Sequence, residues 1–184
     1  LLIAPGAAEL DLARLQFDNA GNMTDRAAAL AALIHSGSQP HAQAALTSFY
    51  ADFENEALVV DKWFAMQAAA PTTDVQAVRQ LMTHPAFTLK NPNRARSLIF
   101  NFTNGNPSQF HAADGSGYAF WAEQVIALDA LNPQVAARLA RSMDRWRRYV
   151  PALQSHMRDA LEQVAGQASL SNDVMEVVSK ALAN

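Results

Sequence analysis

Apolar residues spaced three and four apart recur along almost the whole 184-residue chain, and that period belongs to helices. In residues 24–36 the apolar face is Ala27, Leu30, Ala31 and Ile34. In 56–69 it is Leu58, Trp63 and Met66, with Val59 beside them; in 171–182 it is Val174, Val177, Val178, Ala181 and Leu182. The spacing predicts helices near 7–18, 24–36, 40–53, 56–69, 73–83, 92–103, 117–130, 133–148, 151–165 and 171–182. Punctuation agrees with these bounds. Asn-Pro occurs at Asn91-Pro92, Asn106-Pro107 and Asn132-Pro133, pairing an N-cap residue with one preset for the first helical position. Gln39-Pro40 and Val150-Pro151 also fit helix starts, and Thr73 and Ser171 fit caps. β-branched runs are scarce and no strand pair with a hairpin turn is visible. The expected fold is all-α: a superhelical, α-solenoid-like array of antiparallel helix pairs, of the HEAT/ARM kind. A closed bundle is the alternative, and periodicity does not separate the two.

Composition narrows the chemistry. There is no cysteine, which excludes disulfides, thiolate metal sites and a cysteine nucleophile and is compatible with the reducing cytosol, so a cytoplasmic location is expected. Net charge is −3 without a long run of one sign, so no nucleic-acid partner is expected. No apolar run approaches a membrane span, and no membrane partner is expected. The first residue is Leu1 and "LLIAPGA" reads as a turn leading into a helix. Residues 1–8 are therefore expected to be an interdomain linker or domain start of a longer protein, with residues 9–184 as one helical domain.

The search for catalytic chemistry finds little. His35, His41, His84, His111 and His156 show no H-E-x-x-H spacing and no two lie three or four apart, so no metal site is expected here. "DGSGY" (114–118) lacks one residue on each side of Ser116 for a nucleophile elbow and no strand precedes it; it reads as a turn capping a helix. Glu54 and Glu56 would face different ways on a helix, and Asp61 is the candidate for a buried, paired carboxylate. No catalytic residue is assigned.

Two basic features stand out. In "KNPNRARSLIF" (90–100), Arg94 and Arg96 lie in or near the first turn, where the helix dipole disfavours cations by about 0.3–1 kcal/mol each when exposed. The two point about 200° apart around a helix, so Arg94 fits a scaffold role, pairing with an acid or carbonyl of a neighbouring helix. In "NPQVAARLARSMDRWRRY" (132–149), Val135, Leu139, Met143 and Trp146 form an apolar stripe, and Gln134, Arg138, Arg141, Arg145 and Arg148 a second, basic one. That stripe is either a solvated face or a surface for something acidic: another domain, a substrate carboxylate or, least, nucleic acid. Gln134 and Arg138 are one turn apart, a spacing that lets the two side chains act together.

The segments "NMTDRAAAL", "VVDKWFAMQA", "NPNRARSLI", "NPSQFHAADGSGYAF" and "NPQVAARL", in this order, resemble the C-terminal helical domain of the bacterial aminopeptidase N family of gluzincin zinc metallopeptidases. The resemblance runs from about residue 9 to the end. It implies a parent chain in which a separate catalytic domain carries zinc and removes N-terminal residues from short peptides. This domain would then cap the active-site cavity and restrict or contact the substrate, with Arg96, Gln134 and Arg138 lining that cavity. The catalytic zinc domain of the same chain and short peptides are the implied partners, and this segment alone is expected to be inactive. A freestanding helical-repeat interaction scaffold is the alternative.

Overall fold

The computed structural model describes residues 7–183, and among them every regular element is helical. Four helices open the fold: α1 Ala7–Asn19, α2 Met23–His35, α3 Gln39–Phe53 and α4 Ala57–Ala68, each packed on the next. A middle section follows with α5 Val75–Met82, α6 Pro92–Ala95, a π-helical turn Arg96–Phe100, α7 Asn101–Gly105 and α8 Pro107–Phe110. The last block is α9 Ser116–Asp129, α10 Pro133–Ala140, two 3₁₀ turns (Arg141–Met143 and Trp146–Arg148), α11 Pro151–Ala165 and α12 Asn172–Ala183. Within it α9 packs on α10 and α11, and α12 on α10 and α11. The π-turn rests on α4, and α5 and α8 reach α9, so the middle section joins the two blocks through one contiguous core. This is the expected helical array. The expected linker, residues 1–8, lies largely outside the described residues, and α1 already begins at Ala7.

Each tryptophan stitches a helix to its neighbour. Trp63 Nε1 donates to the Leu46 carbonyl (3.0 Å), Trp121 Nε1 to Leu139 (3.2 Å) and Trp146 Nε1 to Ala181 (2.8 Å). The indole buries a large apolar area while its one polar atom finds a partner, so each joint gains packing without an orphaned donor.

Helix starts follow their punctuation with two corrections. Asn91 caps through Oδ1, accepting from the amides of Asn93 (3.0 Å) and Arg94 (3.4 Å), and Asn132 accepts from Val135 (3.2 Å). Asn106 does not cap. Its side chain is buried and Nδ2 donates to the carbonyls of Ala68 (3.1 Å), Ala70 (2.7 Å) and Thr73 (2.9 Å), tying the end of α4 and the α4–α5 link to the start of α8. Thr73 is likewise not the cap of α5. Asp74 holds that place, accepting from Ala77 N at 2.8 Å, and Thr73 instead supplies a carbonyl to Asn106. Ser171 does cap, accepting from Val174 N at 3.3 Å, and is itself held by both carboxylate oxygens of buried Asp129.

The helix expected over 133–148 stops at Ala140. Beyond the break the chain meets the end of α12, whose last carbonyls lack intrahelical donors. Trp146 Nε1 and Arg147 Nη1 both reach the Ala181 carbonyl, and Arg147 Nη2 reaches that of Leu182, at 2.6 Å for each arginine contact. Both residues lie in the second 3₁₀ turn, beyond the end of α10. The basic stripe therefore does not exist as one face: Arg138 lies on α10, Arg141 in the first 3₁₀ turn, Arg145 between the turns and Arg148 in the second.

"DGSGY" is a turn, as expected, and its glycines have steric reasons. Gly115 has φ +72° and a Cβ there would lie 2.7 Å from His156 Cγ; a Cβ on Gly117 would lie 2.2 Å from the Phe110 carbonyl oxygen. Asp114 accepts from both the backbone and the hydroxyl of Ser116.

Candidate functional site

Arg94 settles half of the electrostatic puzzle in the NPNRAR segment. It is buried on the side of α6 that faces α4, and Nη1 lies 3.0 Å from Asp61 Oδ1. The nitrogen is out of line for a directed hydrogen bond, so the pair is held chiefly by charge. The guanidinium also stands 5.3 Å from the Phe64 ring centroid, a cation–π distance. A cation unwelcome at a helix start is thus offset by a largely buried anion one helix away. Asp61 is the paired carboxylate that its sequence context indicated.

Arg96 is half-buried and sits at the first residue of the π-turn. Nη1 donates to Asn93 Oδ1 at 3.2 Å, and no carboxylate among the described residues pairs with it. One carbonyl-rich feature lies beside it: Asn101 Nδ2 donates to the carbonyls of Arg96 (3.2 Å) and Ser97 (3.1 Å). A π-turn widens the helix by one residue and leaves its carbonyls poorly matched to the normal ladder, a geometry enriched at functional sites.

Gln134 and Arg138 are exposed on one face of α10, one turn apart as expected. With Arg141, and with Asp173 and Glu176 of α12, they line a shallow hollow of about 420 Å³. Arg96 does not line it, so the three predicted residues fall into two places: Gln134 and Arg138 together, Arg96 on a separate element. No ion pair within 4 Å engages Arg138 among the described residues, whereas Arg141 has Asp144 at 3.9 Å. Glu176 binds Lys180, whose hydrogen bond and charge hold its carboxyl below the usual range. The acidic wall of this hollow, Asp173 and Glu176, was not foreseen; it comes from a helix 35 or more positions away in sequence, and no local pattern announces it.

Two of the five histidines are built into the packing. His84 Nδ1 accepts from Ala86 N (3.1 Å) and its ring packs edge-on to Tyr50 and Phe64. Burial, and secondly the charge of Arg94, push its pKa below the ordinary value. His111 bridges two phenols, with Nδ1 2.8 Å from Tyr118 Oη and Nε2 3.0 Å from Tyr149 Oη, and burial lowers its pKa as well. Tyr118 is pushed up to about 12, first by burial and then by Tyr149, and stays protonated. Among the described residues no three His, Asp or Glu side chains gather as a metal ion would require. What the hollow on α10 offers chemically is guanidinium and amide donors of a kind suited to a carboxylate, standing beside the two carboxylates of Asp173 and Glu176.

Comparison with known proteins agrees with this architecture. Residues 1–183 match the family described as "Domain of unknown function (DUF3458_C) ARM repeats". The chain is 44% identical over 175 residues to aminopeptidase N of Caulobacter vibrioides, covering 94% of this chain and 20% of that protein. It is 46% identical over 169 residues to aminopeptidase N of Escherichia coli, covering 91% and 19%. A crystal structure of Legionella pneumophila aminopeptidase A in complex with aspartic acid superposes with a TM-score of 0.89 at 34% identity, over 96% of this chain and 21% of that one. The chain spans about a fifth of the length of the relatives it matches. It belongs to the DUF3458_C family of ARM-repeat domains and is a C-terminal helical domain of the aminopeptidase N kind.

Proposed function

We propose that this domain caps the active-site cavity of a zinc-dependent aminopeptidase that removes N-terminal residues from short peptides. The observation that carries the reading is the identity of 46% to aminopeptidase N over nearly the whole chain. The donor set here does not fit a zinc ion: H-E-x-x-H is absent from the sequence, and no three ligand-type side chains cluster among the described residues. Zinc and the bond-breaking chemistry belong to the catalytic domain of the parent chain, which is also this domain's partner. A cytoplasmic location completes the reading; no described helix is long and apolar enough to cross a membrane.

In this reading Arg96, Gln134 and Arg138 contact the downstream part or the terminal carboxylate of the peptide. Gln134 and Arg138 are exposed, and neither Arg138 nor Arg96 has a carboxylate within 4 Å among the described residues, which supports that role. They act on binding and not on the reacting carbonyl. In the full-length enzyme, Arg138→Ala is expected to raise KM for peptides extending past the first bond more than it lowers kcat. An unchanged KM for such peptides would count against the assignment. The purified 184-residue chain is expected to leave an aminoacyl reporter uncleaved; chelator-resistant turnover by it would overturn the division of labour.

A further inference from the structure

We infer that Asn101 and Asn93 are positioning residues for Arg96, holding it through the backbone and through its guanidinium respectively. The inference rests on the reading of Arg96 as a contact for the downstream part of the peptide. Three observations converge on this one side chain. Arg96 opens the only π-helical turn among the described residues. Asn101, at the end of that turn, donates from Nδ2 to the carbonyls of Arg96 and Ser97. Asn93, one turn earlier, accepts from Arg96 Nη1.

The geometry explains why each amide is needed. In a π-turn the carbonyls look five residues ahead and their bonds are poorer than in the α-ladder. A side-chain amide placed five and four residues after the two carbonyls supplies the donor that keeps the wide turn from collapsing or fraying. The π-turn also carries one residue more than an α-turn would. It cannot relax to α without rotating Arg96 away from its present direction relative to α7. Ser97 ties the turn back to α6, with Oγ donating to the Arg94 carbonyl at 2.8 Å. With the backbone fixed, the long arginine side chain still has rotamer freedom, and Asn93 Oδ1 removes much of it by fixing one end of the guanidinium. Among the described residues Nη2 makes no hydrogen bond, while Nε is buried and has no partner. A guanidinium held at Nη1, with Nη2 uncommitted, is preorganised for an anionic ligand.

The test uses the full-length enzyme and the ratio between KM for a tripeptide and KM for a single-residue aminoacyl reporter, which has no downstream part. Arg96→Ala is expected to raise that ratio about tenfold or more, the loss of a charge-assisted hydrogen bond. Asn101→Ala and Asn93→Ala should each raise it roughly fivefold, as expected for one neutral hydrogen bond. Neither should add further to Arg96→Ala. Asn101→Ser should restore the ratio in part, because its hydroxyl can bond back to the carbonyl four residues earlier. A merely structural asparagine would move both substrates together and would add to Arg96→Ala; either result overturns the inference while leaving Arg96 in place. If Arg96→Ala leaves the ratio unchanged, the reading of Arg96 fails and the inference falls with it. Should Asn101→Ala not fold, Asn93→Ala decides, since Asn93 is exposed and the substitution removes no buried contact.

Discussion

Replacing Asn106 by Ala removes one residue that is 1% exposed and serves three backbone carbonyls. Its Nδ2 has two hydrogens for the oxygens of Ala68, Ala70 and Thr73, so one bond is shared. Ala70 keeps a partner after the change, because Thr73 N also donates to it at 2.9 Å. The carbonyls of Ala68 and Thr73 lose the donor shown here. A buried polar group left unsatisfied costs about 1–3 kcal/mol, so two of them predict a loss of about 2–6 kcal/mol. For a domain of this size that is a large share of the roughly 5–15 kcal/mol that holds a native fold. Urea unfolding of the 184-residue chain measures it as a lower midpoint at an unchanged slope. Amide exchange should rise first at the α4–α5 link and at the start of α8. Asn106→Asp keeps the shape but turns an anion toward three carbonyl oxygens, and should be at least as damaging at neutral pH. A loss under about 1 kcal/mol for Asn106→Ala would refute the claim that these carbonyls depend on it.

Three further outcomes are expected. Gly117→Ala places a methyl 2.2 Å from the Phe110 carbonyl and should cost about 2–3 kcal/mol or more by forcing α8 from α9; a thermal midpoint within a degree or two of the parent would contradict that contact. Asp61→Ala should destabilise by about 3 kcal/mol or more by stranding Arg94, whereas the double change Asp61→Leu with Arg94→Met should recover most of the loss; equal losses in the two would disprove the pairing. Stability should fall on acidification below about pH 6.5 through the lowered pKa of His84, because there the unfolded chain binds the proton more readily than the native one. His111, lowered as well, adds in the same direction, and His84→Gln should flatten the pH profile of the urea midpoint in that window.

How a contact was legible in the sequence depended on its range. Arg94 and Arg96 separate by angle alone, since a helix repeats every 3.6 residues, and their different fates follow. The Asn91 and Asn132 caps are local and were readable as Asn-Pro. Asn106 carries the same dipeptide yet does another job, because the carbonyls it serves lie more than 30 positions earlier. The π-turn leaves no periodic signature in 92–103: its apolar residues read equally well as an ordinary helix. In the same way nothing near Gln134 and Arg138 points to Asp173 and Glu176 across the hollow.

By itself the sequence determined that the chain is helical, which faces turn inward and where most helices begin. Those properties rest on apolar spacing and on capping chemistry within one or two turns, interactions that need no distant partner. The order of its motifs also marked it as a domain of the aminopeptidase N kind. Only the tertiary structure decided where helix 133–148 breaks, which acid holds Arg94 and which carbonyls Asn106 closes. Each of those is the satisfaction of a buried polar or charged group, and its partner is whichever donor or acceptor the folded chain brings within about 3 Å.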